Sequence, residues 1–351
     1  MNEKGLELKR ILAREKRRFA ELAEDRQAGM DPELWKRFGP SGREAGIRDV
    51  EYHLDFLTSA ILMDTPEIFS DYALWVKGLF DRLGFPGDTV EKTLMCMGEV
   101  LDENLSDVLG ELVGGYIAGA SAAVKRPVAE EGSFLEGAGA TARLRRLYVE
   151  AVLQGNRDAA NTLIMSAADE GVGIGDIYLQ VLQPAQYEIG RLWQTGVISV
   201  AKEHFCTAVA QEIMARLYPR ISPEKRTGKR ILMACVSGEL HQIGARMAAD
   251  LLEMNGWDSV YIGANTPTRS ILQALEEFAP EAVGLSATLS VHLPVAEDIV
   301  RSIRGTERGG GIKILVGGNA FVSSRDLWRD IGADAYSADA EEAVKILEEI
   351  T

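Results

Sequence analysis

Four histidines occur in this chain, and two of them stand beside carboxylates in a way that suits metal ligation. His241 lies in the hexapeptide Glu239-x-His241-x-x-Gly244, directly after the apolar run Arg230-Ile-Leu-Met-Ala-Cys-Val236. That run reads as a buried strand. The loop leaving such a strand faces the crevice where open α/β sheets take their ligands. A carboxylate two residues before the imidazole can hold one ring nitrogen while the other meets a metal. Taken alone, the hexapeptide also fits a polar loop that carries a surface histidine. His204 follows Glu203, and Trp193 precedes that pair by ten and eleven residues. Trp193 ends one helical period, Gly196 turns the chain, and Glu203-His204 opens the next helix, so the three can converge at one end of a bundle. A broad indole is a packing face for a bulky ligand. An interfacial tryptophan beside a capped helix start would read the same way.

These residues need two kinds of scaffold. Beyond the polar break Pro219 to Lys229, strands are expected near Ile231–Val236, Ser259–Ile262, Ala282–Ser286, Lys313–Val316 and Ala333–Ser337, each followed by a helical period. The alternation predicts a flavodoxin-like doubly wound α/β domain over 230–351. Upstream, helical periods at Ala140–Leu153, Asp158–Ala168, Ile174–Thr195 and Val200–Leu217 predict a four-helix bundle over 140–218, with a kink at Pro184. A Glu- and Gly-rich linker is expected over 127–139, and before it an all-helical domain over 1–126. That first domain starts with a solvated, charged helix over Lys4–Ala28, closed by Trp35 and the turn Gly39-Pro-Ser-Gly42.

Placed on those elements, the motifs resemble a known family. Glu239-x-His241-x-x-Gly244 resembles the cobalamin signature D-x-H-x-x-G, in which the histidine replaces the corrinoid's own benzimidazole below cobalt and the glycine lets the nucleotide tail pass. Ser286-Ala-Thr288 after the third strand and Gly317-Gly318 after the fourth resemble the residues lining the cavity for that tail, with Thr288 where Leu is frequent in methyl-carrying relatives. Trp193 with Glu203-His204 resembles the helical half of light-responsive cobalamin-dependent repressors, a branch that often carries E-x-H-x-x-G. The resemblance covers about Ala140 to Thr351. It implies adenosylcobalamin held His-on and base-off by His241. Trp193 would cap the adenosyl group, Glu203 would contact it, and His204 would be a second cobalt ligand after light. The implied function is a photoreceptor without catalytic turnover that signals through domain contacts or oligomeric state. The alternative is a corrinoid methyl carrier serving partner methyltransferases. The helical first domain is similar in length and order to that of photocobilins, which implies biliverdin as a noncovalent second cofactor. No bilin motif matches residue by residue, so His53, Tyr72 and Trp75 are candidate contacts only. His292, on the loop after the third strand, reads as a bystander.

Composition narrows the classes further. A formal net charge of −15 and a pI near 4.9 argue against direct nucleic-acid binding, which needs clustered Lys and Arg on one face. The basic cluster Arg14 to Arg18 reads as a charged helix face. Neither G-x-G-x-x-G after the first strand nor G-x-x-x-x-G-K-[ST] occurs, so nucleotide-phosphate readings fall behind. Cys96, Cys206 and Cys235 are scattered through apolar runs, as core residues in a reducing compartment would be. No run is long and apolar enough for a membrane span, and no signal peptide is visible, so a cytoplasmic protein is expected, with a homo-oligomer as a separate expectation.

Overall fold

The structure is a computed structural model and describes residues 3–128, 132–223, 225–322 and 326–351, with the side chains of 33–35, 37, 38 and 40 excepted. Trp35 therefore has its side chain outside the described residues. The chain forms two compact units: Met1–Ala129 with Leu289–Pro294, and Glu130–Thr288 with Val295–Thr351.

The first unit is helical: α1 (Glu3–Met30), α2 (Pro32–Leu62), α3 (Pro66–Arg82), α4 (Thr89–Asn104) and α5 (Asp107–Ala123). Its leading helix differs from the solvated one expected. Leu8, Leu12, Phe19 and Ala23 recur at helical spacing on α1 and are buried. Such a stripe must be covered by other helices. Three of the cluster's four basic residues meet acidic neighbours: Lys16 Nζ is 2.8 Å from Asp55, Arg17 pairs with Glu44 at 2.7 Å, and Arg18 pairs with Glu15 at 3.1 Å. The turn expected at Gly39 is a local break inside α2, with Gly39 at φ 60° and ψ −162°, after which the helix resumes. Among the described residues no helix is long and apolar enough to cross a membrane.

The second unit opens with α6 (Ala140–Leu153), α7 (Arg157–Asp169), the short α8 (Ile174–Asp176), a π-helical turn (Ile177–Leu182), α9 (Gln183–Gln194) and α10 (Val200–Leu217). Their ends follow local chemistry: Asn156 accepts the Ala159 N–H at the start of α7, and Ser199 accepts the Lys202 N–H at the start of α10. The disturbance expected at Pro184 takes the form of the π turn just before it, where the Gln183 N–H reaches back to the Tyr178 carbonyl. Proline has no N–H to offer the regular ladder, and a wider turn is one way a helix absorbs that loss. Tyr148, Tyr178, Ile164, Ile189, Ile213 and Leu217 centre the bundle core.

Beyond the bundle come β1 (Arg230–Cys235), α11 (Ile243–Met254), β2 (Asp258–Tyr261), α12 (Thr268–Phe278), β3 (Ala282–Ser286), α13 (Leu293–Arg304), β4 (Lys313–Gly317), α14 (Leu327–Asp330), β5 (Ala335–Ser337) and α15 (Ala340–Ile350). The strands form one parallel sheet in the order β2-β1-β3-β4-β5, the flavodoxin-like order. Its order reverses between β1 and β3, so the crevice lies at their carboxyl ends. There Cys235 is in register with Ser286, and Ser286 with Gly317. Helix α11 is shared between bundle and sheet: Met247 belongs to the bundle core, and the buried Tyr178 hydroxyl donates to Asp250 at 2.8 Å.

Candidate functional site

At the carboxyl end of β1 the chain leaves the sheet at Val236 and carries Glu239 straight back into the protein. The Glu239 side chain has no solvent exposure, and its carboxylate gathers three N–H groups. Oε1 lies 2.6 Å from His241 Nδ1 and accepts the His241 backbone N–H at 2.8 Å, while Oε2 accepts the Thr288 N–H at 2.6 Å. The imidazole itself is 59% exposed. The ring is thus held by one nitrogen with the other left for a ligand, the arrangement in which a carboxylate fixes tautomer and orientation. The same bond to Glu239 raises the His241 pKa above the ordinary imidazole value, and the Glu203 carboxylate adds to this through space. The loop histidine and the bundle's acid therefore share one electrostatic neighbourhood.

The strand ends supply the rest of the floor. Ser286 is half-buried at the end of β3, and its carbonyl accepts the Val236 N–H at 3.1 Å. Ala287 N–H donates to the Gly317 carbonyl at 3.0 Å, stitching the loops after β3 and β4 together. Gly318 has φ +100°, and a Cβ there would stand 2.3 Å from the Ala287 carbonyl oxygen, so only glycine fits. Gly244 is the opposite case: a Cβ on it would meet nothing within 4 Å. The fold does not require glycine at that position. Cys235 lies beneath the loop as a core residue, its thiol pushed up to about 12 by burial. Cys96, Cys206 and Cys235 are all free and buried.

On the bundle side, His204 Nδ1 is 2.5 Å from Glu203 Oε2, and the His204 side chain is 75% exposed. Thr207 Oγ1 donates to Glu203 Oε1 at 2.8 Å and accepts from Gln186 on α9 at 3.1 Å, so the acid is braced from two helices. Trp193 is half-buried in the last turn of α9, and Gly196 at φ +71° turns the chain after it. Among the described residues no hydrogen bond or ring contact joins Trp193 to Glu203 or His204.

Among the described residues, no group of three or more His, Cys, Asp or Glu side chains could hold a metal ion. A single held and exposed imidazole suits a metal already caged by other nitrogens, as in a macrocycle. The comparisons agree with that chemistry. Residues 229–348 match one B12 binding domain family and residues 144–218 match a second. The chain is a corrinoid-binding protein. It is similar to dimethylamine corrinoid protein 1 of Methanosarcina acetivorans, 26% identical over 206 residues that cover 57% of this chain and 93% of that one. It is also similar to a corrinoid protein of Desulfitobacterium hafniense, 22% identical over 206 residues covering 57% of this chain and 94% of the relative. Among solved structures, the monomethylamine corrinoid protein of Methanosarcina barkeri superposes with a TM-score of 0.54 at 20% identity, covering 60% of this chain and all of that one. That likeness shows the fold.

The candidate bilin contacts His53, Tyr72 and Trp75 lie in the first unit. His53 is buried and bonded through Nδ1 to the Tyr72 hydroxyl at 2.9 Å, Tyr72 stacks on Phe56 at 3.7 Å, and Trp75 lies 6.3 Å from Tyr72. Burial holds the His53 pKa down at about 4. His292 falls in the segment Leu289–Pro294, which groups with the first unit.

Proposed function

We propose that this chain carries a corrinoid His-on through His241 and presents it to a partner protein for methyl transfer. The observation that carries the reading is the fully buried Glu239 carboxylate holding Nδ1 of a half-exposed His241. In this reading Glu239 orients the lower ligand and fixes its tautomer. Gly244 leaves the passage beside it, and Ser286, Thr288, Gly317 and Gly318 line the space for the nucleotide tail. A bound corrinoid supplies a weak cobalt–carbon bond whose alkyl group can be handed on or released by visible light. The names of the relatives described above, a dimethylamine corrinoid protein and a corrinoid protein, favour the carrier over turnover by this chain alone.

A second reading, an adenosylcobalamin light sensor, is favoured by one specific arrangement. Glu203 is braced by Thr207, holds His204, and acts on His241 through space. With Trp193 as a cap, His204 would supply a second imidazole to a bound corrinoid, and its engagement would change bundle contacts or oligomeric state. The cavity that His53 lines measures about 90 Å³ and includes neither Tyr72 nor Trp75 among its walls.

One experiment separates the readings. The protein is loaded in darkness with adenosylcobalamin or methylcobalamin, and absorption is compared before and after green light. The carrier reading expects methyl transfer to a thiol or corrinoid methyltransferase acceptor and no dependence of the photoproduct on His204. The sensor reading expects a light product whose spectrum changes in His204→Ala. Retention of cobalamin with an unchanged spectrum in His241→Ala would refute both.

A further inference from the structure

The loop that carries Glu239 is held at its outer edge by one residue of the next crossover. Asn265, in the loop after β2, has φ +49°, a left-handed conformation that asparagine tolerates better than most residues. In that conformation it makes two bonds to the His241 loop at once. Its side-chain Oδ1 accepts the Gly238 N–H at 2.7 Å, and its own N–H donates to the Glu239 carbonyl at 2.9 Å. Its neighbours tie the same two loops together, since the Thr266 N–H donates to the Cys235 carbonyl at 3.1 Å and the Cys235 N–H to Gly263 at 2.9 Å. Thr266 is itself buried and bridges to Val236.

Glu239 can deliver its carboxylate to His241 Nδ1 and to Thr288 only if its backbone enters the protein in one direction. The peptide before Gly238 is held through its N–H by Asn265 Oδ1, the Glu239 N–H by the Val236 carbonyl at 3.0 Å, and the Glu239 carbonyl by the Asn265 N–H. We infer that Asn265 is a positioning residue for the cobalt ligand, setting the orientation of the His241 ring through the backbone of Glu239. The inference rests on the reading of His241 as the lower ligand. Asparagine is suited to the position twice over, because glycine would keep the backbone conformation and lose the acceptor, whereas aspartate would keep both.

The test compares Asn265→Gly, Asn265→Asp and His241→Ala in the full-length chain, titrated with hydroxocobalamin in darkness and followed by absorption. Imidazole nitrogen chemical shifts of His241 are recorded in the cobalamin-free proteins. Asn265→Gly should weaken cobalamin binding by about three- to tenfold, the worth of one hydrogen bond, and displace the His241 imidazole shifts. Asn265→Asp should restore both. Unchanged affinity and unchanged shifts in Asn265→Gly, alongside lost binding in His241→Ala, would overturn the positioning role and leave the ligand assignment standing. Wild-type binding in His241→Ala would overturn the ligand assignment and this inference with it. Should Asn265→Gly fail to fold, amide exchange in the wild type decides: the Gly238 amide should slow on loading, and exchange unaffected by cobalamin would refute the role.

Discussion

Replacing Glu239 by glutamine removes one acceptor from a group that serves three donors and changes almost nothing in volume. The carboxylate spends Oε1 on His241 Nδ1 and the His241 N–H, and Oε2 on the Thr288 N–H. A carboxamide has one acceptor end, so whichever way it is turned its NH2 faces an N–H donor. Losing a hydrogen bond to a charged group costs about 1.5–3 kcal/mol. The Glu239 side chain is fully buried, so water cannot take over the orphaned donor. The second consequence falls on the ligand: disturbing the partner that orients a metal-bound histidine weakens metal affinity by roughly ten- to a hundredfold. Hydroxocobalamin titration in darkness measures the affinity and urea unfolding of the cobalamin-free protein measures the stability, with Glu239→Asp as the control that keeps both carboxylate oxygens. If Glu239→Gln binds cobalamin within about twofold of wild type, the carboxylate does not orient the ligand and the proposed assignment fails.

The two glycines near the site should separate fold from binding. Gly318→Ala, whose Cβ would collide with the Ala287 carbonyl at a φ of +100°, should lower stability by about 1–3 kcal/mol in urea unfolding. Gly244→Ala, with open space around its Cβ, should unfold like wild type yet load less cobalamin; equal loading would remove Gly244 from the passage. Tyr178→Phe deletes the hydroxyl that bonds the buried Asp250 at 2.8 Å and should cost about 1–3 kcal/mol of second-unit stability, read by chemical denaturation. In the first unit, burial lifts the Glu24 pKa from 4.5 to about 7. A raised carboxylate favours the folded state while protonated. Its contribution is therefore present below pH 4.5 and is lost as pH climbs to about 7, by about 3 kcal/mol at most. Glu24→Gln should gain stability relative to wild type across that window, and a pH-independent difference would contradict the assignment.

Strand and helix positions were legible because each is a local pattern. The apolar run before Val236 and the alternation after it could only be a parallel sheet with crossovers, and β3 spans Ala282–Ser286 as its run of apolar residues requires. Ala140–Leu153 and Val200–Leu217 are bounded by breakers and by the Ser199 cap, so their ends too are written in adjacent residues. The pairing of Glu239 with His241 could be anticipated from a separation of two residues. Three things could not. The burial of α1 depends on the partners that cover its Leu8 and Phe19 stripe, and periodicity alone does not say whether such partners exist. The third donor to Glu239 comes from Thr288, and the brace on its loop from Asn265. These residues reach the site through strand order and register, which join segments distant in the chain. The sequence by itself determined most of the elements and singled out the loop that carries Glu239 and His241, since short-range propensity and hydrophobic period act within a few residues. Only the tertiary structure decided which backbone groups fix that loop, because hydrogen bonds between crossovers exist once the sheet has closed on them and not before.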